Sequence, residues 1–173
     1  LQYHEVRVKF TFNNLPTNTS VSLWVDYIYL DTDERRKMAQ NSHEFLITQI
    51  QNDDSASLTA NDTTTHRLNF NHPVKELIWT VEDRRDSTHV LAADLQDATL
   101  ILNGHDRFAK RDGSYFSCVQ PYQHHTCVPV NRDIYVYSFA MKPEDPVQPS
   151  GTCNFSRIDN AQLRILAKPL SVP

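Results

Sequence analysis

Glycine is scarce in this chain: Gly104, Gly113 and Gly151 are the only three in 173 residues, against nine prolines. Positions that need positive φ are therefore rationed, and each glycine is expected in a turn. Asn103-Gly104 is one candidate for a tight two-residue hairpin, but such hairpins are not the chain's main device. Cysteine is equally sparse and odd in number, at Cys118, Cys127 and Cys153. That count does not fit a small secreted scaffold held by bridges, and points to a reducing assembly site. No run of about 18 apolar residues occurs, which excludes a membrane-spanning helix. No basic block is long enough to follow a phosphate backbone, and 17 basic against 21 acidic residues leave a formal charge of -4, so direct nucleic-acid binding is not expected. Internal repeats and Gly/Ser linkers are missing too. The first residues lack an initiator Met, a basic n-region and an apolar h-region, and the expectation is a piece of a longer polypeptide.

What is present is a soluble globular composition, 39% hydrophobic and 10% aromatic, of a length that suits one β-sandwich over residues 1–173. Val6, Val8, Phe10 and Phe12 alternate with Arg7, Lys9 and Thr11, the two-residue period of a strand with one wet face, before Asn13, Asn14 and Pro16 turn the chain. Residues 21–30, VSLWVDYIYL, are apolar at both parities except for Ser22 and Asp26, as in a central strand covered by two layers. From Asp31 the period changes. Asp31 can cap a helix with Glu34 three residues on, and the residues that follow favour a short helix near 32–43.

Further strands are expected at Phe45–Ile50, at Val74–Val81 after a lead-in through Leu68, Phe70 and Pro73, and at Thr99–Leu102, Ile134–Met141 and Ala161–Leu166, with a polar excursion at 52–65 that has room for one short strand and a long connection at 84–96. Seven or eight short strands, long polar loops and one inserted helix predict an all-β fold, an antiparallel eight-stranded jelly-roll sandwich of two Greek keys.

Three segments narrow this further: QPYQHHT (Gln120–Thr126), IYVYSFAMKPED (Ile134–Asp145) and QPSGTCNFSRIDNA (Gln148–Ala161). With LWVDYIYLDTDERRKMAQ (Leu23–Gln40), HPVKELIW (His72–Trp79) and NGHDRF (Asn103–Phe108), they make the chain resemble the double jelly-roll major capsid proteins of nucleocytoplasmic large DNA viruses, the iridovirus, phycodnavirus, mimivirus and marseillevirus group. Asp145-Pro146-Val147 departs from that pattern in one loop.

The resemblance implies a structural virion protein without enzymatic activity or cofactor. It implies that the chain is the C-terminal jelly roll of two, partnered by the N-terminal jelly roll of the same polypeptide. It also implies a homotrimeric, pseudo-hexagonal capsomer in an icosahedral shell, contacts with neighbouring capsomers and minor capsid proteins, and assembly in the host cytoplasm. The structural signature it marks is Gln120, Pro121, Tyr122, His124, His125, Pro149, Ser150, Gly151, Asn154, Ser156, Arg157, Asp159 and Asn160.

Other chemistry was weighed on the residues themselves. Cys118, His124, His125 and Cys127 put two thiols and two imidazoles within ten residues, on paper a tetrahedral zinc set. Their spacing matches no recognised zinc pattern, and neighbours on a strand point to opposite faces, so no metal is assigned. A cysteine nucleophile would need a third group and an oxyanion hole that nothing in the sequence nominates. The bland reading is that Gln120, Tyr122 and the His pair bond the backbone of a long buried connection. Asn154, Ser156, Arg157, Asp159 and Asn160 are expected to close one end of the sandwich, with Arg157 gripping a carboxylate. Asn18 and Asn61 head glycosylation triplets in polar loops, while the third triplet, at Asn154, lies inside the signature. Two other functions share the fold: a carbohydrate-binding sandwich stacking sugars on Tyr115 or Tyr135, and a cupin-like metalloprotein, for which His124-His125 lacks the intervening residue.

Overall fold

The computed structural model describes residues 7–12, 19–54, 56–59, 61–84, 90–92, 95–130 and 134–168. The expected turn at Asn13, Asn14 and Pro16, and the triplet at Asn18, lie outside these residues. The chain forms two compact units, Leu1–Ile47 and Thr48–Pro173.

In the first unit the regular element is helix α1 (Thr32–Gln40). Its start follows from the sequence: the Asp31 carboxylate accepts the Thr32 N–H at 2.7 Å, and the Asp31 N–H reaches back to Glu34 at 3.3 Å, a capping box. It stops at Gln40, short of the expected 43, because Asn41 swings to an extended ψ of 148°. Residues 7–12, 21–30 and 45–47, expected as strands, enter no ladder among the described residues. A hydrophobic pattern makes a strand only when a neighbour takes its backbone donors and acceptors.

The second unit carries the β-structure. Its first strands are β1 (Thr63–Leu68), β2 (Pro73–Val74), β3 (Glu76–Thr80), β4 (Glu82–Arg84) and β5 (Val90–Ala92). There follow β6 (Leu95–Leu102), β7 (His105–Asp106), β8 (Arg111–Asp112), β9 (Ile134–Ser138), β10 (Cys153–Asn154) and β11 (Ala161–Ala167). All pairings are antiparallel. The main sheet runs β1-β11-β6, with β7 and β8 sharing the far edge of β6; β3 pairs with β9, β2 with β10, and β4 with β5. The expected Val74–Val81 strand is split, because Lys75 separates β2 from β3. The polar run Thr63–Leu68, placed largely in an excursion by its sequence, is a sheet-edge strand with alternating exposure.

The register shows why the sequence folds this way. In β11, Ala161, Leu163, Ile165 and Ala167 are buried while Gln162, Arg164 and Leu166 lie further out, the period of two written in the chain. Strand β6 is central, and Ala98, Thr99, Leu100 and Ile101 are buried in succession, as covering on both faces requires. Asn103 (φ 51°) and Gly104 (φ 81°) join β6 to β7 with Leu102 opposite His105, so the expected two-residue hairpin forms with both residues left-handed.

Two core clusters meet at a line of aromatic rings. Phe116, fully buried, lies 5.2 Å from Trp79 and 5.6 Å from Phe108 between ring centroids, and Phe108 lies 4.7 Å from Tyr137. Around this line pack Val81, Leu95, Ala98 and Leu163 on one side and Leu77, Leu100, Phe155 and Ala161 on the other. Gly113 fits because any Cβ there would overlap the Leu95 carbonyl.

Replacing Phe116 with Ala removes a ring that its neighbours cannot follow inward. The expected loss is about 3–5 kcal/mol of unfolding free energy, read from urea denaturation with the slope m unchanged.

Candidate functional site

The signature segments lie in the second unit, where Gln120–Thr126 bonds to Ser138, Met141 and Glu144, and the approach to them starts at Asp112. Its carboxylate accepts the Ser114 N–H (2.9 Å) and hydroxyl (2.7 Å), which hold the carboxyl below its ordinary range. The chain then winds through a π-helical turn (Tyr115–Val119) directly into α2 (Gln120–His124), with Pro121 in the first turn where its missing N–H costs no hydrogen bond. The sequence places Gln120, Tyr122 and the His pair in a long buried connection. It is helical, and too short to show an amphipathic period.

Gln120 is buried, and both ends of its amide are used. Its Nε2 donates to the Tyr115 hydroxyl at 2.9 Å, and its Oε1 accepts the Ser138 N–H of β9 at 3.0 Å. A buried amide left unmatched would cost about 1–3 kcal/mol, so this pairing fixes the helix to the strand. Pro121 is fully buried below it, whereas Tyr122 is exposed beside an apolar depression of about 320 Å³ lined by Cys118, Val119 and Val128.

The two histidines diverge, as the strand argument anticipated for neighbours, although the local backbone is helical. His124 places Nδ1 3.2 Å from the Met141 carbonyl. His125 leaves the helix and lies between two carboxylates, Nδ1 2.9 Å from Glu144 and Nε2 3.0 Å from Glu76. The Glu76 approach is short but out of line for a hydrogen bond, and both atoms are buried. Glu144 also takes the Thr126 N–H at 3.1 Å; the His125 bond first, and the Thr126 bonds second, hold its carboxyl below the ordinary 4.5.

Beyond β9 the loop closes on itself. Ser138 Oγ donates to the Ala140 carbonyl at 2.7 Å, and Ser150 Oγ accepts the Lys142 N–H at 2.8 Å and donates to the Lys142 carbonyl at 3.1 Å. Asp145 collects the N–H groups of Val147 and Gln148, so the insertion that departs from the family pattern is an Asx-type turn. Pro149 is exposed, and Gly151 has a φ of 135° where a Cβ would stand 2.9 Å from the Phe139 carbonyl.

The last signature segment closes as a 3-10 turn (Phe155–Arg157) capped by Asn154, whose Oδ1 accepts the Ser156 N–H at 3.1 Å. Ser156 Oγ accepts the His72 N–H at 2.8 Å, and Asn160 and Asn103 exchange two bonds, 2.7 and 3.2 Å. Arg157, expected to grip a carboxylate, is exposed and makes no ion pair among the described residues; Asp159 is exposed as well. The closure is made by neutral groups: Asn154 caps its own turn, while Ser156 and the Asn160 backbone tie that turn to His72 and Asn103, far away in sequence.

The four paper zinc ligands are not gathered. Cys127 is exposed, Cys118 is half-buried beside Ser117, both imidazoles are turned to protein acceptors, and no cluster of three or more His, Cys, Asp or Glu able to hold a metal occurs among the described residues. All three cysteines are free, and burial pushes the Cys153 thiol up. Tyr135 is buried with its hydroxyl on the Leu95 N–H, and Tyr115 has Arg111 5.5 Å above its ring, so neither offers an open face to a sugar. Asn61 is exposed at a left-handed turn before β1.

Comparison with known proteins gives the arrangement its context. Residues 34–171 match the model of the large eukaryotic DNA virus major capsid protein family. The major capsid protein of Pyramimonas orientalis virus is 46% identical over 197 residues, 95% of this chain and 48% of that protein. That of Paramecium bursaria Chlorella virus 1 is 39% identical over 223 residues, 99% of this chain and 51% of that protein. Among solved structures, PBCV-1 VP54 fitted into a reconstruction of the virophage Sputnik aligns with a TM-score of 0.73, and a quasi-atomic model of the PBCV-1 virus capsid with 0.66. Each is 38% identical and covers 84% of this chain and 44% of the other. The chain thus spans about half the length of the curated relatives it matches, and its antiparallel ladders are those of the viral jelly-roll capsid fold.

Two measurements probe the site. A folded carboxyl value held below the ordinary one stabilises the native state above about pH 4.5 and ceases to do so as pH falls through the lowered value. The stability gap between the native protein and Glu144→Gln should therefore be widest near neutral pH and close on acidification, followed by thermal melts from pH 7 to 3. At the other end of the signature, Ser156→Ala should cost about 1 kcal/mol while Arg157→Ala stays within about 0.5.

Proposed function

This chain belongs to the large eukaryotic DNA virus major capsid protein family, and on that premise we propose that it is a wall element of an icosahedral virion. In this reading the chain carries the C-terminal jelly roll of a two-jelly-roll polypeptide. Three such polypeptides form a pseudo-hexagonal capsomer that contacts neighbouring capsomers and minor capsid proteins. The protein is a virion component assembled in the host cytoplasm, touching neither nucleic acid directly nor the interior of a membrane.

One observation carries the proposal. The polar groups of the signature are spent on the protein's own backbone: Gln120, Ser138, Ser150, Asn154, Ser156 and Asn160 each fasten one element of the second unit to another or close a turn. A site that binds or transforms a small molecule keeps a few polar groups converging on a cavity. A building block instead needs stiff internal fastening, and leaves its loops to neighbours. Contacts between such blocks can be individually modest, since a patch of about 1,600 Å² spans micromolar to picomolar strength and repetition supplies the rest. No helix among the described residues is long and apolar enough to cross a membrane.

Light scattering on the purified full-length protein, with metal analysis of the same sample, checks the reading. A stable trimer without stoichiometric metal is the expected outcome. A monomer carrying one zinc or iron per chain would overturn it and return attention to His124, His125 and the cysteines.

A further inference from the structure

Strand β1 lies at one end of the main sheet with β11 as its ladder partner, so one row of its backbone groups faces away from the sheet. Three bonds identify that row. The Thr63 N–H goes to the Asp62 carboxylate at 2.8 Å, the Asn69 N–H to the Asp53 carboxylate at 3.1 Å, and the Asn71 N–H to Gln51 Oε1 at 2.9 Å. None of these acceptors belongs to β11, and alternate residues of an extended chain direct their backbone groups to the same side. The odd-numbered residues therefore supply the outer row, and Thr65 and Arg67, both with exposed side chains, stand in its middle.

An edge of this kind is a template for another strand, but its downstream end is already taken. Gln51 binds Asn71 twice: Oε1 accepts the N–H, and Nε2 donates to the carbonyl at 2.6 Å. Those are the two bonds that a residue of a paired antiparallel strand would exchange. Asp53 holds Asn69 and also lies 3.4 Å from His66 Nε2. Residues 51–53 thus run beside 66–71 outside any ladder among the described residues, and their side chains stand in for a partner strand's backbone.

We propose that the outer edge of β1 is a pairing surface for a second copy of this chain, and that Gln51 and Asp53 are the guard that keeps it closed. The residues of the edge select the occupant. Two β1 strands paired antiparallel about a two-fold axis through Thr65 place Thr65 against Thr65 and Thr63 against Arg67, with Thr64 against His66 on the other face. Threonine pairs favour such a ladder, and this register keeps the two arginines on opposite sides of the axis. A register centred on Arg67 would set like charges directly opposite each other, which is destabilising. With the axis at Thr65, the second copy's Thr59 and Asn61 fall opposite Asn71 and Asn69, the places that Gln51 and Asp53 occupy. Guard and second copy exclude each other. The contact concerns one strand edge and holds whether or not three chains form a capsomer.

Gln51→Ala combined with Asp53→Ala opens the edge without altering β1 or the core. Sedimentation velocity compares this double variant with the parent chain over a wide range of concentration. The expected result is a parent of constant mass and a variant whose mass doubles as concentration rises. Adding Thr65→Lys sets two lysines face to face at the axis and should restore the parent's mass. In the double variant carrying Cys127→Ser, Thr65→Cys should give an interchain disulfide on mild oxidation. Thr63→Cys and Arg67→Cys should each give none alone and give one when mixed, because those positions oppose each other. Gln51→Glu keeps the side chain's length and sets a carboxylate against the Asn71 carbonyl, so it repeats the test should the double variant unfold. Constant mass in both variants overturns the proposal, as does association that survives Thr65→Lys. A parent that already cross-links through Thr65→Cys overturns the guard, since the edge would then be open with Gln51 and Asp53 in place.

Discussion

The contact on which the second unit depends is the row of aromatic rings that begins at Tyr115 and ends at Phe70. Tyr115 meets Phe116 at 5.2 Å, Phe116 meets Phe108 at 5.6 Å, and Phe108 meets Tyr137 at 4.7 Å. Tyr137 then meets Phe139 at 5.1 Å, Phe139 meets Phe155 at 5.9 Å, and Phe155 meets Phe70 at 6.2 Å. Each pair is tilted or edge-on, the arrangement that the ring quadrupole favours. The row joins the π-helical turn, the loop between β7 and β8, strand β9 and the 153–157 turn, parts distant in sequence that share few backbone bonds. Without it the helical segment and the 3-10 turn would have no common support.

Polar groups then fix what the rings bring together. Rings fill space without strongly choosing a register, whereas Gln120 can satisfy both ends of its amide only with Tyr115 on one side and Ser138 on the other. His125 adds a contact that reaches from α2 to Glu76 of β3 and to the loop at Glu144. The ring is half-buried between the two acids, and the Thr126 N–H donates to the Glu144 carboxylate beside it. Strength and chemistry draw on the same side chains, and a group fully engaged by its own protein is not free for a substrate.

Family membership and the two-unit division bear on each other. The second unit closes its own core, from Leu77 and Val81 to Ile165 and Ala167. The first unit carries strand-grade sequence that enters no ladder among the described residues.

Several features were legible in the residues alone because their causes are local. The capping box at Asp31, the left-handed Asn103-Gly104 hairpin and the alternation of Ala161–Ala167 need only neighbours a few positions away to be read. The family signature was legible for the same reason, as continuous strings. The helix at 115–124 was not, because Pro121 and a length below three turns hide any period, and burial of Phe116 and Gln120 is what makes it stable. Strand β1 was obscured by its polar TTTHRL sequence, which suits a sheet edge as well as a loop. Arg157 looked like the anchor of its turn by charge, yet Asn154, Ser156 and Asn160 do the closing, since which groups meet depends on backbone path. Sequence by itself determined the class of fold, the family and the local turns, because short-range sterics and patterning decide them. Tertiary structure alone decided which strands found partners, how the aromatic row runs and which of the histidines is held between acids, because those are long-range contacts that no local pattern encodes.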